Sequence, residues 1–151
     1  TLKVHCNRGT SGIDGSTATA VGAAVYHKEP TVLITGDLSF LYDSNGLWNA
    51  AIRKDFRIIV VNNSGGGIFR ILPGKEDSPN FNAFFETQHQ LDASHLSKMF
   101  GFEYENASST EEVEDAFQRF FIRSNSPKLL EITTPSAIND KILLGYFDFL
   151  Y

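Results

Sequence analysis

Cysteine is almost missing from this chain, with Cys6 the sole example. A single thiol forms no internal disulfide, so the fold is not stapled, and a reducing, cytoplasmic setting is expected. Positive charge is also short. Thirteen Lys and Arg stand against eighteen Asp and Glu, a net charge of -5. That balance leaves no electrostatic footprint for nucleic acid or for an anionic membrane surface. No apolar run approaches the ~20 residues that a bilayer span requires, and no signal peptide is visible. Metal-ligand spacing is missing too. His5, His27, His89 and His95 fall into no ligating pattern with one another or with Cys6, so each reads as a surface or packing residue. Repeats, low-complexity tracts and internal linkers are lacking, which predicts one domain over residues 1–151. The chain opens on Thr1 and enters a glycine-rich motif at once; a carboxy-terminal fragment of a longer protein is the expectation.

What is present is an apolar content of 42%, enough for a real core in a domain of ordinary size. The runs Thr31-Val-Leu-Ile-Thr35, Arg57-Ile-Ile-Val-Val61 and Lys128–Thr133 are continuous rather than alternating, as in parallel strands buried on both faces. Helical patterns are read at about Asp14–Tyr26, Phe40–Lys54, Asp92–Phe100 and Thr110–Arg123, with Thr110 as N-cap. Leu2–Cys6 reads as a short strand or loop, and Phe102–Glu105 as a short strand. Pro73–Gln90 reads as a long functional loop, and Asn139–Tyr151 as an apolar docking helix. The pattern predicts an α/β, three-layer domain with a mainly parallel sheet flanked by helices.

Two strand ends carry the chemistry. Asp37 follows the first run, and Asn62-Asn63-Ser-Gly-Gly-Gly67 follows the second. In an open parallel sheet, ligands gather outside the carboxyl ends of the strands. A carboxylate at one end, a carboxamide at the next and a backbone carbonyl make a hard oxygen set for Mg²⁺ or Ca²⁺. A third loop, Asn7-Arg-Gly-Thr-Ser-Gly-Ile-Asp-Gly15, permits close backbone approach and leads into a helix whose first N–H groups are open to an anion. Singly, each has a plain alternative: a turn, or an N-cap in the case of Asp37. Their joint occurrence in this order is what argues for a site.

Gly36-Asp37, with Asn62-Asn63 after a helix and a strand, resembles the thiamin diphosphate fingerprint of Gly-Asp-Gly and a later Asn pair. Leu38 departs from it by replacing the second Gly. Together with Asn7–Gly15, the segments Gly-Asp-Leu-Ser-Phe-Leu-Tyr-Asp-Ser-Asn and Val-Val-Asn-Asn-Ser-Gly-Gly-Gly-Ile-Phe resemble the carboxy-terminal domain of the SEPHCHC synthases of menaquinone biosynthesis. Phe84-Phe-Glu-Thr-Gln-His89 is similar to the same family's later segment.

The resemblance implies Mg²⁺ (or Mn²⁺) held by Asp37, Asn63 and the Gly65 carbonyl. It implies thiamin diphosphate bound by Gly36, Asp37, Leu38, Ser39 and Asn63, with Ile13 beneath its rings. It implies Arg8 clamping a substrate carboxylate and Ile68, Phe69 and Leu72 walling the substrate pocket; Arg70 is unassigned. No catalytic residue is expected in this fragment, because the family's activating Glu lies on an amino-terminal domain. The implied reaction decarboxylates 2-oxoglutarate and adds the product carbanion to isochorismate, in a homodimer or homotetramer. Two alternatives stand beside it: a domain of another thiamin diphosphate-dependent 2-oxoacid decarboxylase or carboligase, and, for the isolated chain, a non-catalytic cofactor-binding and dimerisation module.

Overall fold

The structure, a computed structural model, describes residues 2–7, 9, 12–72 and 78–150. Its centre is a parallel sheet of four strands, β1 (Val32–Gly36), β2 (Arg57–Asn62), β3 (Glu103–Ala107) and β4 (Lys128–Thr133), in the order β1-β2-β4-β3. β2 and β4 lie inside the sheet, and their side chains are buried alternately on its two faces. Ile58, Val60, Leu33 and Leu129 pack with Val21 and Ala24 of α1 (Ser16–Tyr26), Phe40 of α2 (Asp37–Tyr42) and Leu96 of α3 (Ser94–Met99). Ile59 and Leu130 pack on the other face with Ala116 and Phe120 of α4 (Thr110–Phe120). Helices on both faces of a parallel sheet make the expected three layers, with continuous apolar strands because both faces are covered.

Coverage stops at β1. Ile34 pairs in register with buried Ile59, yet is 69% exposed. Val32 and Val61 are also exposed. The last helix, α5 (Asn139–Leu150), packs against the 3₁₀ turn Gly67–Arg70 and leaves Ile142, Tyr146, Phe147 and Phe149 exposed.

Several expectations need correction. The helix expected over Phe40–Lys54 is only α2 followed by a 3₁₀ turn, Ser44–Leu47. Tertiary contacts break it. Asp43 Oδ2 accepts the Ala18 N–H at 2.7 Å. A Cβ on Gly46 would lie 2.7 Å from Ala18 N, so the chain must leave the helix to meet α1. Trp48 lies beyond both α2 and the 3₁₀ turn and is 85% exposed. Tyr42, on α2, is exposed as well. The N-cap of α4 is Ser109, not Thr110: its Oγ accepts Glu112 N–H at 3.2 Å, while Glu112 Oε2 accepts Ser108 N–H at 2.7 Å. Leu2–Cys6, expected as a short strand or a loop, is the loop, and is exposed. Of the expected loop at 73–90, residues 73–77 lie outside the described residues, and Phe81–Glu86 is a π-helical turn rather than open loop. Phe81 stacks on Phe85 there, with ring centroids 5.9 Å apart.

Candidate functional site

Gly36 pairs with Val61, so β1 and β2 end side by side, and the two motifs meet there. Asp37 is 4% exposed at the start of α2. Its Oδ1 accepts the Leu38 N–H at 2.8 Å, and its Oδ2 accepts the Gly65 N–H at 2.9 Å. Asn63 is half-buried in the same loop. A Cβ on Gly67 would lie 2.4 Å from Asn63 Nδ2, so glycine there leaves the carboxamide its room. Gly65 has φ +151, and a Cβ on it would meet the Glu86 carbonyl at 2.7 Å. The loop is built for a tight backbone approach.

Ser39, one turn into α2, donates to the Ile13 carbonyl at 2.9 Å. Its single proton is thereby used, so Ser16 is the donor in the 2.6 Å Ser16–Ser39 bond. The start of α1 thus meets the start of α2, with Ile13 exposed beside them. Not all the expected N–H groups are open: Leu38 N–H is taken by Asp37 and Ala18 N–H by Asp43.

Arg8 lies outside the described residues. Ile68 and Leu72 are exposed, and Phe69 packs edge-on against Phe85, with centroids 5.9 Å apart. Together they form an apolar rim beside the loop. Arg70, unassigned from sequence, turns inward and pairs with buried Glu86, whose Oε2 also accepts Gln88 Nε2 at 2.7 Å. The Glu86 carbonyl in turn accepts Gly66 N–H at 2.6 Å.

Two residues at the site, His89 and Glu131, were given no role from the sequence. His89, read as a surface or packing residue, places Nε2 3.1 Å from Asp37 Oδ2. Its Nδ1 accepts the Leu91 N–H at 3.1 Å, so a neutral ring carries its proton on Nε2. That atom is buried and makes no hydrogen bond among the described residues. Asn62 and Glu131 form a second buried group. Glu131 accepts from Asn62 Nδ2 at 2.7 Å, Tyr104 OH at 2.6 Å and Ala93 N–H at 3.0 Å. Burial, and then the bond to Glu131, push the Tyr104 phenol well above its ordinary pKa. Nothing in the spacing of residues 89 and 131 from Asp37 could have marked them; only the fold joins them.

No group of three or more His, Cys, Asp or Glu that could hold a metal occurs among the described residues. An ion at Asp37 would therefore draw on amide and carbonyl oxygens, the donor chemistry of a hydrated Mg²⁺ carrying phosphate. The residues fit such a group. The His89 Nε2–H beside Asp37, which makes no hydrogen bond among the described residues, is a donor suited to a phosphate oxygen or a metal-bound water. A cavity of about 780 Å³ lies elsewhere, by Val32, Arg53 and Arg57 at the amino ends of the strands. It holds none of this chemistry.

Residues 2–132 match the family described as thiamine pyrophosphate enzyme, C-terminal TPP binding domain. The chain belongs to this family. This TPP-binding domain is 58% identical over 149 residues to the 2-succinyl-5-enolpyruvyl-6-hydroxy-3-cyclohexene-1-carboxylate synthase of Christiangramia forsetii, covering 99% of the chain and 26% of that protein. The enzyme of the same name from Flavobacterium johnsoniae is 54% identical over 146 residues, covering 97% and 26%. That of Porphyromonas gingivalis is 41% identical over 144 residues, covering 95% and 25%. The domain thus spans about a quarter of the length of the curated relatives it matches. Among solved structures it resembles the thiamine diphosphate-dependent 4-hydroxybenzoylformate decarboxylase of Rhodococcus jostii RHA1, with a TM-score of 0.56 and 26% identity over 77% of this chain and 22% of that one. The resemblance to SEPHCHC synthases drawn from the motifs is borne out, and so is the α/β fold. No helix among the described residues is long and apolar enough to cross a membrane.

Proposed function

We propose that this chain is the thiamin diphosphate- and Mg²⁺-binding domain of a SEPHCHC synthase, a cytoplasmic homo-oligomer that decarboxylates 2-oxoglutarate and adds the product to isochorismate. The 2.9 Å contact between Asp37 Oδ2 and Gly65 N–H carries the reading, because it joins the two halves of the fingerprint at one point. Asp37, the Asn63 carboxamide and the Gly65 carbonyl hold the ion. One carboxylate leaves it enough positive charge to retain a diphosphate. Gly36, Leu38 and Ser39 border the diphosphate, and Ile13 supports the rings. Bound thiamin diphosphate supplies the electron sink for decarboxylation. Ile68, Phe69 and Leu72 exclude water on the substrate side.

The domain carries no catalytic acid or base of its own in this reading; the activating Glu belongs to another domain of the parent. The uncovered apolar surface at Ile34, Val32 and Val61 supports a larger parent, since such surface is normally buried by a neighbour. The test is an assay of the full-length protein with thiamin diphosphate, Mg²⁺, 2-oxoglutarate and isochorismate, which should form the conjugate-addition product. Decarboxylation without addition would instead favour another 2-oxoacid decarboxylase. The isolated chain should show no turnover under the same conditions; activity near that of the parent would refute the division of labour.

Arg8 is assigned to a substrate carboxylate, which a guanidinium binds through two parallel hydrogen bonds. Such charge-assisted bonds are worth roughly 1.5–3 kcal/mol. In the parent, Arg8→Ala should therefore lower kcat/KM by about one to two orders of magnitude. Arg8→Lys should fall between, with thiamin diphosphate affinity unchanged in both. A loss that appears in cofactor binding would show Arg8 to be a diphosphate or structural residue.

A further inference from the structure

Glu131 sits on the interior strand β4 and is 1% exposed. Its partners among the described residues are the Asn62 amide, the Ala93 N–H and the Tyr104 hydroxyl, three neutral donors and no cation. For stability alone this is a poor use of a core position, because an apolar side chain avoids the desolvation cost of an acid. What the carboxylate does achieve is orientation. Both of its oxygens act as acceptors, so the Asn62 amide must present Nδ2 to it, and Nδ2 also donates to the Leu91 carbonyl at 2.9 Å. Asn62 Oδ1 is thereby turned to the Ser64 N–H, at 2.9 Å.

Ser64 is a non-glycine residue at φ +62, a left-handed conformation that needs outside support. It receives that support from Asn62 Oδ1 at its N–H and from the His89 backbone N–H, 3.3 Å from its carbonyl. Gly65 follows, with its N–H on Asp37. Asp37, Asn62 and Glu131 also line one void of about 10 Å³, roughly the room of a single water.

We infer that Glu131 is a positioning residue for the metal loop, holding the Asn63–Gly65 backbone through Asn62. The inference rests on the reading of that loop as the Mg²⁺ site. Partners that orient ligands are typically worth about 10–100-fold in metal affinity. The test titrates Mg²⁺ into the full-length protein at saturating thiamin diphosphate, with Asp37→Ala as reference and thermal melts in parallel.

Glu131→Gln places an NH₂ against one of the existing donors, so Mg²⁺ should bind about tenfold more weakly. At saturating Mg²⁺ the kcat and substrate KM should return to the unmodified values. Tyr104→Phe, which leaves the Asn62 contact intact, should stay within about threefold. If Glu131→Gln does not fold, Asn62→Ser carries the test, with the same expected loss. A folded Glu131→Gln or Asn62→Ser protein with a lowered melting temperature but unchanged Mg²⁺ affinity makes Glu131 purely structural and overturns the inference. Unchanged affinity in Asp37→Ala instead removes the metal reading itself, and the inference falls with it.

Discussion

Asp37→Ala in the full-length protein should cost more than about a hundredfold in Mg²⁺-dependent thiamin diphosphate affinity, exceeding the ~10–100-fold typical of residues that only orient ligands. Asp37 is the one charged group in the proposed ligand set. It is also the acceptor that joins α2 to the Gly65 loop. Its removal therefore unpairs the Leu38 and Gly65 N–H groups, at roughly 1–3 kcal/mol for each one left buried and unsatisfied. Asp37→Asn separates the two effects. It keeps an acceptor and the side-chain volume but not the charge, so metal affinity should still collapse while stability falls less. Asn63→Ala should cost less than either, because water can replace a neutral oxygen. Calorimetric titration of thiamin diphosphate with and without Mg²⁺ measures all three. Unchanged binding in Asp37→Ala would end the assignment.

Arg57→Met should destabilise the protein by about 3–5 kcal/mol, the range for breaking a buried charge-assisted network. Arg57 is 4% exposed at the amino end of β2. Its Nε donates to the Phe120 carbonyl at 2.8 Å, Nη1 to Lys54 and Phe56 at 2.8 and 3.0 Å, and Nη2 to Ile122 at 3.1 Å. Phe120 and Ile122 lie at the carboxyl end of α4, where a cation also opposes the negative pole of the helix. Burial lowers the guanidinium pKa, while Asp55 and Glu103 push it back up. Methionine fills the volume but takes the guanidinium from the Phe120, Lys54 and Ile122 carbonyls, the Phe56 carbonyl keeping the Lys128 N–H at 3.2 Å. At ~2–4 °C per kcal/mol for a chain of this size, the melting temperature should drop by about 10 °C. Arg57→Lys should recover only part, since an ammonium cannot span the same fork. Mg²⁺ affinity should stay within about twofold, the metal loop lying at the other end of the strand. A melting temperature within 2–3 °C of the unmodified protein would show the network to be dispensable.

Much of this protein was legible in its sequence because the informative signals are local. A buried parallel strand needs an unbroken apolar run, and 57–61 and 128–133 have it; β2 and β4 follow within a residue. The order of Asp37 and Asn62-Asn63 after successive strands was enough to expect their convergence. Neighbouring parallel strands must end on the same side of the sheet, and Asp37 does meet Gly65.

Other features depended on partners distant in the chain. The expected helix at 40–54 stops at Tyr42, because Asp43 and Gly46 answer to Ala18, more than twenty residues away. Thr110 gave up the N-cap to Ser109 because the Ser109–Glu112 and Ser108–Glu112 pair of bonds favours that register. Glu131 carries no sequence mark of the Asn62–Gly67 loop, and His89 only its place at the end of the Phe84–His89 segment. His89 is brought to Asp37 by the π-helical turn and its continuation, Glu131 to Asn62 by strand order, since β4 rather than β3 lies beside β2. The proposed ligand residues and the strand polarity lie in short stretches of chain. The contacts around those residues were decided by packing, because hydrogen-bond partners are chosen by distance in space and not by separation in sequence.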